Sequence, residues 1–245
     1  VEKWATISPD YEYGYTAWAL FKLTLKKLKP DVTFVAESWP KSGTIDFSPN
    51  ITAVMTAHPE GIFSAEWAGE AATLIKQLKA FGVVDKLKPE SIMCCLGAAV
   101  DVLMGLGKDY PEGIWASNRY WFPYPDTAIN KAFVDRYYKK YTLYPHYTSE
   151  NAYTTVYTLK MAVEKAESLD FDKVVKALEG LIFYAPKGRT YIRPEDHQAM
   201  YEVPWGQIKM TTAYPFPILD NLKVFPAEAY YRNPPFPKFE YGKLA

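Results

Sequence analysis

The first 120 residues alternate between two hydrophobic periodicities, and this alternation constrains the fold more than any other feature of the chain. Short apolar runs predict strands at Trp4–Ser8, Val32–Glu37, Gly61–Trp67, Ser91–Leu96 and Gly113–Tyr120. Between the strands, apolar residues recur at helical spacing, as in the stripe formed by Ala71, Leu74, Ile75 and Leu78. Strands and helices repeated in this way predict an α/β fold, with a parallel sheet, right-handed crossovers and helices on both faces.

The character of the sequence changes after Trp121. The stretch Phe122–Pro125 contains two prolines and predicts an extended connector, where the chain crosses into another domain. Two long amphipathic helices should follow, capped by Asp126 and Ser149. Their predicted inner stripes are Ile129, Phe133, Tyr137 and Tyr141 on the first helix, and Ala152, Val156, Leu159, Val163 and Ala166 on the second. A hairpin-like return is expected from Arg189–Ile192 to Gln198–Val203, and the proline-rich sequence from Tyr214 onward predicts an extended tail.

Composition excludes several classes of partner. Lys plus Arg and Asp plus Glu both total 28, so the net charge is zero and no footprint for nucleic acid or an anionic membrane is expected. The longest apolar run, Ile92–Val100, is far shorter than the roughly 20 residues of a membrane-spanning helix. The opening segment Val1–Ile7 has neither the basic leader nor the hydrophobic region of a signal peptide.

Motifs for catalysis, metals and cofactors are missing from the sequence. There is no G-x-S-x-G elbow, no phosphate-binding loop and no H-E-x-x-H. The three histidines lie far apart and have no carboxylate or cysteine at ligand spacing, so neither a metal nor another cofactor is expected. Cys94 and Cys95 lie in an apolar strand and are expected to be buried, reduced thiols. A hydrolase or transferase using Asp10 or Glu66 as a general base is an alternative, but it lacks a visible partner group.

Ligands of parallel α/β sheets bind beyond the carboxyl ends of the strands, where this sequence is rich in aromatic residues. Six residues at these ends are candidates for contact with a small molecule: Tyr11, Tyr13, Ser64, Glu66, Trp67 and Leu96. Aromatic faces bury the apolar part of a solute, while phenol and indole donors orient its polar atoms. The alternative is that these aromatic residues only cover the end of the sheet.

Four segments, in order, resemble the periplasmic leucine/isoleucine/valine-binding proteins of ABC transporters. They are Lys3–Tyr15 (KWATISPDYEYGY), Asp46–Ile51 (DFSPNI), Glu90–Gly97 and Arg193–Gln198 (RPEDHQ). The similarity runs from about residue 3 to residue 212. It implies the fold of type I periplasmic binding proteins, in which two Rossmann-like lobes hold a solute between them.

The resemblance also implies how the chain is divided. Residues 1–120 match the second-lobe α/β sandwich, and residues 121–200 match the helical part of the first lobe with hinge segments near Asn118–Tyr124 and Pro186–Gln198. Residues 201–245 match the strands that return to the second lobe, followed by the extended tail. The opening half of the first lobe has no counterpart in this numbering.

Membership of this family implies that the protein binds a small solute and delivers it to the membrane permease of an ABC transporter. It would then be a non-enzymatic, monomeric protein of the periplasm, or a lipid-anchored extracellular one. A ligand-sensing receptor or regulatory domain of the same fold is the alternative function.

The expected solute follows from three matched positions. Tyr13 and Trp67 match cleft aromatics of the family, whereas Leu96 aligns roughly with a glutamate that pairs with the α-ammonium group of amino-acid ligands. Unless Glu66 substitutes for that glutamate, the expected solute is a carboxylate or aromatic compound without an ammonium group.

Overall fold

A computed structural model describes residues 1–229 and Tyr231, and the chain divides into two compact units. The first unit contains Val1–Asn118 and Trp205–Leu222, and the second contains Arg119–Pro204 and the described residues after Leu222. The chain therefore passes between the units after residues 118, 204 and 222, whereas the segment 186–198 lies within the second unit. The tail predicted from Tyr214 onward is wrong for Ile218–Lys223, which form a strand of the sheet described next. Residues 230 and 232–245 of that tail lie outside the described residues.

The first unit is built on a seven-stranded sheet. With strands numbered along the whole chain, its members are β1 (Lys3–Ile7), β2 (Thr33–Ser38), β3 (Gly61–Ser64), β4 (Ile92–Cys94), β5 (Trp115–Ser117), β9 (Trp205–Lys209) and β10 (Ile218–Lys223). Their order across the sheet is β10-β9-β5-β4-β3-β1-β2. The first five strands are parallel, with Ala5 opposite Ile62 and Phe63 opposite Met93, while β9 runs antiparallel to β5. The α/β class and the parallel arrangement predicted from the sequence are confirmed.

Helices connect the parallel strands. They are α1 (Glu12–Leu28), α2 (Ser48–Thr56), α3 (Ala68–Ala80), α4 (Val83–Leu87) and α5 (Val100–Leu106). The α3 stripe of Ala71, Leu74, Ile75 and Leu78 is fully buried, as predicted, and α3 packs against α5. All four residues of β3 are buried, so side chains on both faces of this strand lie away from solvent. This is why its sequence is a continuous apolar run and does not alternate between apolar and polar residues.

Helix α1 packs onto one face of the sheet through Trp18. Trp18 is 1% exposed and lies in a cluster with Trp4, Val32 and Phe63. Its indole Nε1 donates a hydrogen bond of 2.6 Å to Glu37, so the buried ring leaves no polar atom unpaired. The sequence predicts that Ala17, Leu20, Phe21, Leu25 and Leu28 form the inner face of this helix. That prediction is partly wrong, because it omits Trp18 and includes Leu28, which is 77% exposed and lies outside this cluster.

The second unit contains three helices and a small antiparallel sheet. The helices are α6 (Ala128–Tyr141), α7 (Tyr147–Ala166) and α8 (Phe171–Leu178), and the strands β6 (Ile182–Ala185), β7 (Gly188–Ile192) and β8 (Ala199–Met200). The order of the strands is β6-β7-β8. Ile192 lies opposite Ala199, which confirms the predicted hairpin-like return.

The helix caps and inner stripes predicted for this unit were partly wrong. The caps are Thr127 and His146, whose side chains accept hydrogen bonds from the first turns of α6 and α7. On α7 the predicted stripe includes Val156 and Leu159, which are 68% and 55% exposed. Helix α7 packs against α8, and its buried positions are Glu150, Thr154 and Ala162, on a different face.

A buried ion pair lies in the second unit. Glu150 is fully buried and Lys187 is 7% exposed, with 2.7 Å between the Lys187 Nζ and a Glu150 carboxylate oxygen. The other carboxylate oxygen accepts a 2.5 Å hydrogen bond from Thr154, and Lys187 also donates to Asn151. Burial lowers the pKa of Lys187, and the charge of Glu150 opposes this shift. The buried charges of Glu150 and Lys187 therefore stabilise each other, and each offsets the cost of removing the other from water.

Candidate functional site

The order of the strands locates a crevice at the carboxyl edge of the first unit's sheet. From β1 the chain moves to β2 on one side, and it then returns to β3 on the other side of β1. At such a switch point the connecting loops diverge, which leaves a crevice outside the strand ends where α/β proteins bind ligands. The loops that follow β1 and β3 carry three of the six predicted site residues, Tyr11, Glu66 and Trp67. Ser64 is the last residue of β3, and Tyr13 lies in the first turn of α1.

Two buried hydroxyl groups hold these loops together. Thr6 and Ser8 are both fully buried, and their hydroxyl oxygens are 2.7 Å apart. Thr6 donates to the Phe63 carbonyl at 2.9 Å, and Ser8 accepts a 3.0 Å hydrogen bond from the Ala65 amide. The β1 and β3 loops are therefore cross-linked by side chains. Sequence reasoning missed both residues, although polar groups at the end of an apolar strand are a usable signal.

Two of the predicted site residues are buried beneath the edge. Ser64 is 1% exposed, and its hydroxyl accepts a 3.1 Å hydrogen bond from the Glu66 amide, while its carbonyl accepts one of 2.9 Å from the Cys95 amide. Leu96 is 5% exposed in the turn after β4. In this arrangement Ser64 positions the loops that follow β3 and β4, and Leu96 presents little surface.

Glu66 is the least compensated ionisable group at this edge. It is 4% exposed, and its Oε1 has no hydrogen-bond partner among the described residues. Burial raises the pKa of Glu66 from 4.5 to about 8, with a smaller contribution from the negative charge of Glu70. Near neutral pH, Glu66 is therefore mainly a neutral acid with an available proton.

Three aromatic side chains provide the exposed part of the site. Trp67 and Tyr11 precede the first turns of α3 and α1, and each is 39% exposed. Tyr13 is half-buried against the cluster around Trp18, and its ring lies 6.1 Å from that of Tyr11. All three rings follow strands at the carboxyl edge, as predicted.

The two tyrosines line a shallow cavity of about 550 Å³ over the first turns of α1. Its other lining residues are Glu12, Thr16, Ala17 and Leu20, so Glu66, Trp67 and Leu96 do not belong to it. The structure thus brings Ser64, Glu66 and Trp67 together in one loop and places Tyr11 and Tyr13 in a neighbouring group. It does not enclose all six residues in one cavity.

Close packing fixes the position of the two tyrosines. A Cβ atom on Gly14 would overlap the Pro9 carbonyl oxygen, so only glycine allows the first turn of α1 to approach the end of β1 this closely. The loop before α1 is anchored further by a 2.9 Å hydrogen bond from the Asp10 amide to the Pro40 carbonyl.

Asn118, directly after β5, is a third residue that sequence reasoning missed as a site candidate. It is fully buried, and its amide nitrogen donates a 3.1 Å hydrogen bond to the Ala98 carbonyl. Its Oδ1 has no hydrogen-bond partner among the described residues. Asn118 therefore ties the loop after β4 to the end of β5.

Cys94 is unsuited to act as a nucleophile. It is a buried free thiol on β4, and burial raises its pKa from 9.0 to about 12, with a further contribution from the charge of Glu66. The thiolate is therefore scarce at neutral pH. Cys95 is half-buried against the Trp18 cluster, so the prediction of two buried cysteines holds fully only for Cys94.

A further cavity of about 570 Å³ lies in the second unit. Thr154, Thr155 and Thr158 line it together with Lys187 and several apolar side chains. Because Lys187 is paired with Glu150, this cavity offers no uncompensated positive charge to a solute.

Within residues 1–229 and Tyr231, no three or more His, Cys, Asp or Glu side chains are grouped so that they could hold a metal ion. None of the described helices has both the length and the apolar character needed to cross a membrane.

Comparison with solved structures identifies the fold. An ABC-type branched-chain amino acid transporter protein from Rhodopseudomonas palustris CGA009 is 26% identical, with a TM-score of 0.73 over 92% of this chain and 60% of its own. An amino acid ABC transporter substrate-binding protein from Pseudomonas fluorescens Pf-5 is 22% identical, with a TM-score of 0.79 over 93% of this chain and 61% of its own. A solute-binding protein of an ABC transporter from R. palustris BisB5, in complex with 3,4-dihydroxy benzoic acid, is 23% identical, with a TM-score of 0.80 over 93% and 61%.

The chain thus spans about three fifths of the length of these similar structures. A search of curated proteins by sequence found no match. The family model described as "Periplasmic binding protein" matches residues 1–213, which is most of the chain. The fold, the order of the strands and this match together show that the chain belongs to the periplasmic binding protein family.

Proposed function

We propose that the protein binds a small organic solute at the carboxyl edge of the first unit's sheet and delivers it to the membrane permease of an ABC transporter. One observation carries the proposal: the partly exposed Trp67 ring directly follows the buried acid Glu66 at the switch point of the sheet. An apolar face beside one convergent polar group is the usual composition of a site that binds without reacting.

The proposed solute is a carboxylate or aromatic compound without an ammonium group. An ammonium group requires a fixed carboxylate, but Leu96 is apolar and buried, and Glu66 is mainly neutral near pH 7. The rings of Tyr11, Tyr13 and Trp67 suit stacking on an aromatic solute. The structure from R. palustris BisB5 shows that this fold accommodates a benzoic acid derivative.

The proposal includes a non-enzymatic role. Cys94 is protonated, and the predicted site residues contain no paired acid and nucleophile. We expect the protein to act as a monomer without a cofactor, in the periplasm or anchored by lipid outside the membrane.

A thermal-shift screen of the purified protein tests the proposal, with 3,4-dihydroxybenzoate and leucine as probes. A solute at about 100 times its dissociation constant stabilises the folded state by about 2.7 kcal/mol, which is readily measured. We expect stabilisation by the aromatic acid and little by leucine. Mass spectrometry of molecules released on denaturation would identify a co-purified solute in unaltered form.

Trp67→Ala should weaken binding of the aromatic acid about fivefold, since an aromatic contact contributes about 1 kcal/mol beyond the area it buries. Phe81→Ala is the matched control, because Phe81 is also exposed, at 50%, but lies after the carboxyl end of α3. Equal affinity of both variants, or tight binding of leucine alone, would contradict the proposal.

A further inference from the structure

Glu66 lacks the partners that a buried carboxylate normally has. Glu66 is 4% exposed, its Oε1 is buried without a hydrogen-bond partner, and no ion pair reaches its side chain from the described residues. A buried, ionised carboxylate without such partners costs several kcal/mol, so burial strongly favours the neutral acid.

The groups that act on Glu66 reinforce this preference. Glu70, one turn further along the chain on α3, adds negative charge, and the Cys94 thiol on the neighbouring strand is uncharged. One effect works in the opposite direction, since Glu66 lies just before the first turn of α3, where the helix dipole favours an anion. Burial is the largest cause of the raised pKa of Glu66.

We infer that Glu66 is a neutral carboxylic acid in the solute-free protein and that it recognises the solute by donating its proton in a hydrogen bond to an oxygen acceptor. The inference rests on the proposed function and names the group that this part of the site accepts. A carboxylate, phenolate or carbonyl oxygen fits such a donor, whereas an ammonium group fits only the ionised form.

Solutes that offer an oxygen acceptor and solutes that carry an ammonium group would then exchange protons with Glu66 differently. With a pKa of about 8, roughly nine tenths of Glu66 is protonated near pH 7 and about one tenth near pH 9. An oxygen acceptor binds the protonated form and releases no proton near pH 7. An ammonium solute must first remove that proton and releases about 0.9 of a proton for each molecule bound.

Titration calorimetry at about pH 7, in two buffers of different ionisation enthalpy, measures this proton release. With 3,4-dihydroxybenzoate we expect equal binding enthalpies in both buffers, and an affinity about tenfold lower near pH 9 than near pH 7. In Glu66→Gln the amide keeps a donor and cannot ionise, so its affinity should change over this range only as far as a phenol of the probe itself ionises, and the difference between the two proteins isolates Glu66. An affinity that declines equally in both proteins, or proton release of about 0.9 on binding the acid, would overturn the inference.

A measurement without solute separates this inference from the proposed function. Infrared difference spectra between about pH 7 and pH 9 should show a protonated-carboxyl band that is lost on raising the pH and is absent in Glu66→Gln. If neither probe binds but this band is present, the proposed function fails and the protonation state of Glu66 stands. Absence of the band from the parent protein at pH 7 would refute the neutral acid directly.

Discussion

The raised pKa of Glu66 makes a quantitative prediction for folding stability. In the unfolded chain the carboxyl group has its ordinary pKa of 4.5, and in the folded protein its pKa is about 8. The folded state therefore binds the proton more tightly. Its extra stability is complete below about pH 4.5 and is lost as the pH rises through about 8.

The size of this loss follows from the two pKa values. Each pH unit between them changes the free energy of unfolding by about 1.4 kcal/mol, so this group alone should lower it by about 3 kcal/mol between pH 6 and pH 9. Glu66→Gln cannot ionise and should lack this component. All other titrating groups are shared, so the difference between the two proteins isolates Glu66.

Urea denaturation followed by tryptophan fluorescence, at several pH values from about 6 to 9, measures the difference. We expect the gap between Glu66→Gln and the parent protein to change by about 2 to 3 kcal/mol over this range, with constant m-values. In Glu70→Gln the loss should level off at a lower pH and be smaller, since one of the charges that raise the Glu66 pKa is removed. A gap that stays constant over the whole range would refute the reasoning.

Three further predictions concern packing and buried polar groups. Gly14→Ala should lower the free energy of unfolding by about 3 kcal/mol in chemical denaturation, because the added methyl group meets the Pro9 carbonyl. A decrease below about 0.5 kcal/mol would show that the turn adapts. Lys187→Met should lower the free energy of unfolding by about 3–5 kcal/mol in thermal denaturation by leaving Glu150 unpaired, and Glu150→Gln in the same chain should recover most of it; no recovery would contradict the pairing. Asn130→Asp removes the amide that donates to two backbone carbonyls at 2.9 and 3.0 Å, and it should lower the free energy of unfolding by about 3 kcal/mol in guanidinium denaturation. An unchanged free energy of unfolding would contradict the stabilising role of these hydrogen bonds.

Much of the first unit was predictable because its periodicity is strong. The stripe on α3 was predicted residue by residue, since every member faces the sheet or a neighbouring helix. Strand bounds were less accurate: the run Gly61–Trp67 continues past Ser64 into a loop, because residues at the carboxyl edge remain apolar or buried after the last ladder hydrogen bond. Helix α5 was missed for a related reason, as its residues extend an apolar run that began in β4.

The second unit was harder to predict because apolar periodicity does not specify which face of a helix finds a partner. On α7 the apolar stripe containing Val156 and Leu159 is exposed, while Glu150 and Thr154 are buried through a polar network. A charged residue inside a helix is normally assigned to the solvent side. Only the distant Lys187, brought close by the fold, makes its burial possible.

The sequence indicated which edge of the sheet carries the candidate site, but not how exposed each residue is. Ser64 and Trp67 belong to the same short loop, yet one is 1% exposed and the other 39%. Between them, the Ala65 amide donates a hydrogen bond to Ser8, a contact between distant parts of the chain. Contacts of this kind leave no periodic trace in a sequence.

Strands β5 and β9 are neighbours in the sheet although residues 119–204 separate them along the chain. During synthesis, the edge of β5 that pairs with β9 therefore keeps unpaired backbone groups until Trp205–Lys209 has left the ribosome. A nascent chain that stalls before Trp205 carries an open strand edge capable of pairing with other chains. Chaperone dependence and aggregation during biosynthesis should accordingly be concentrated in that interval of translation.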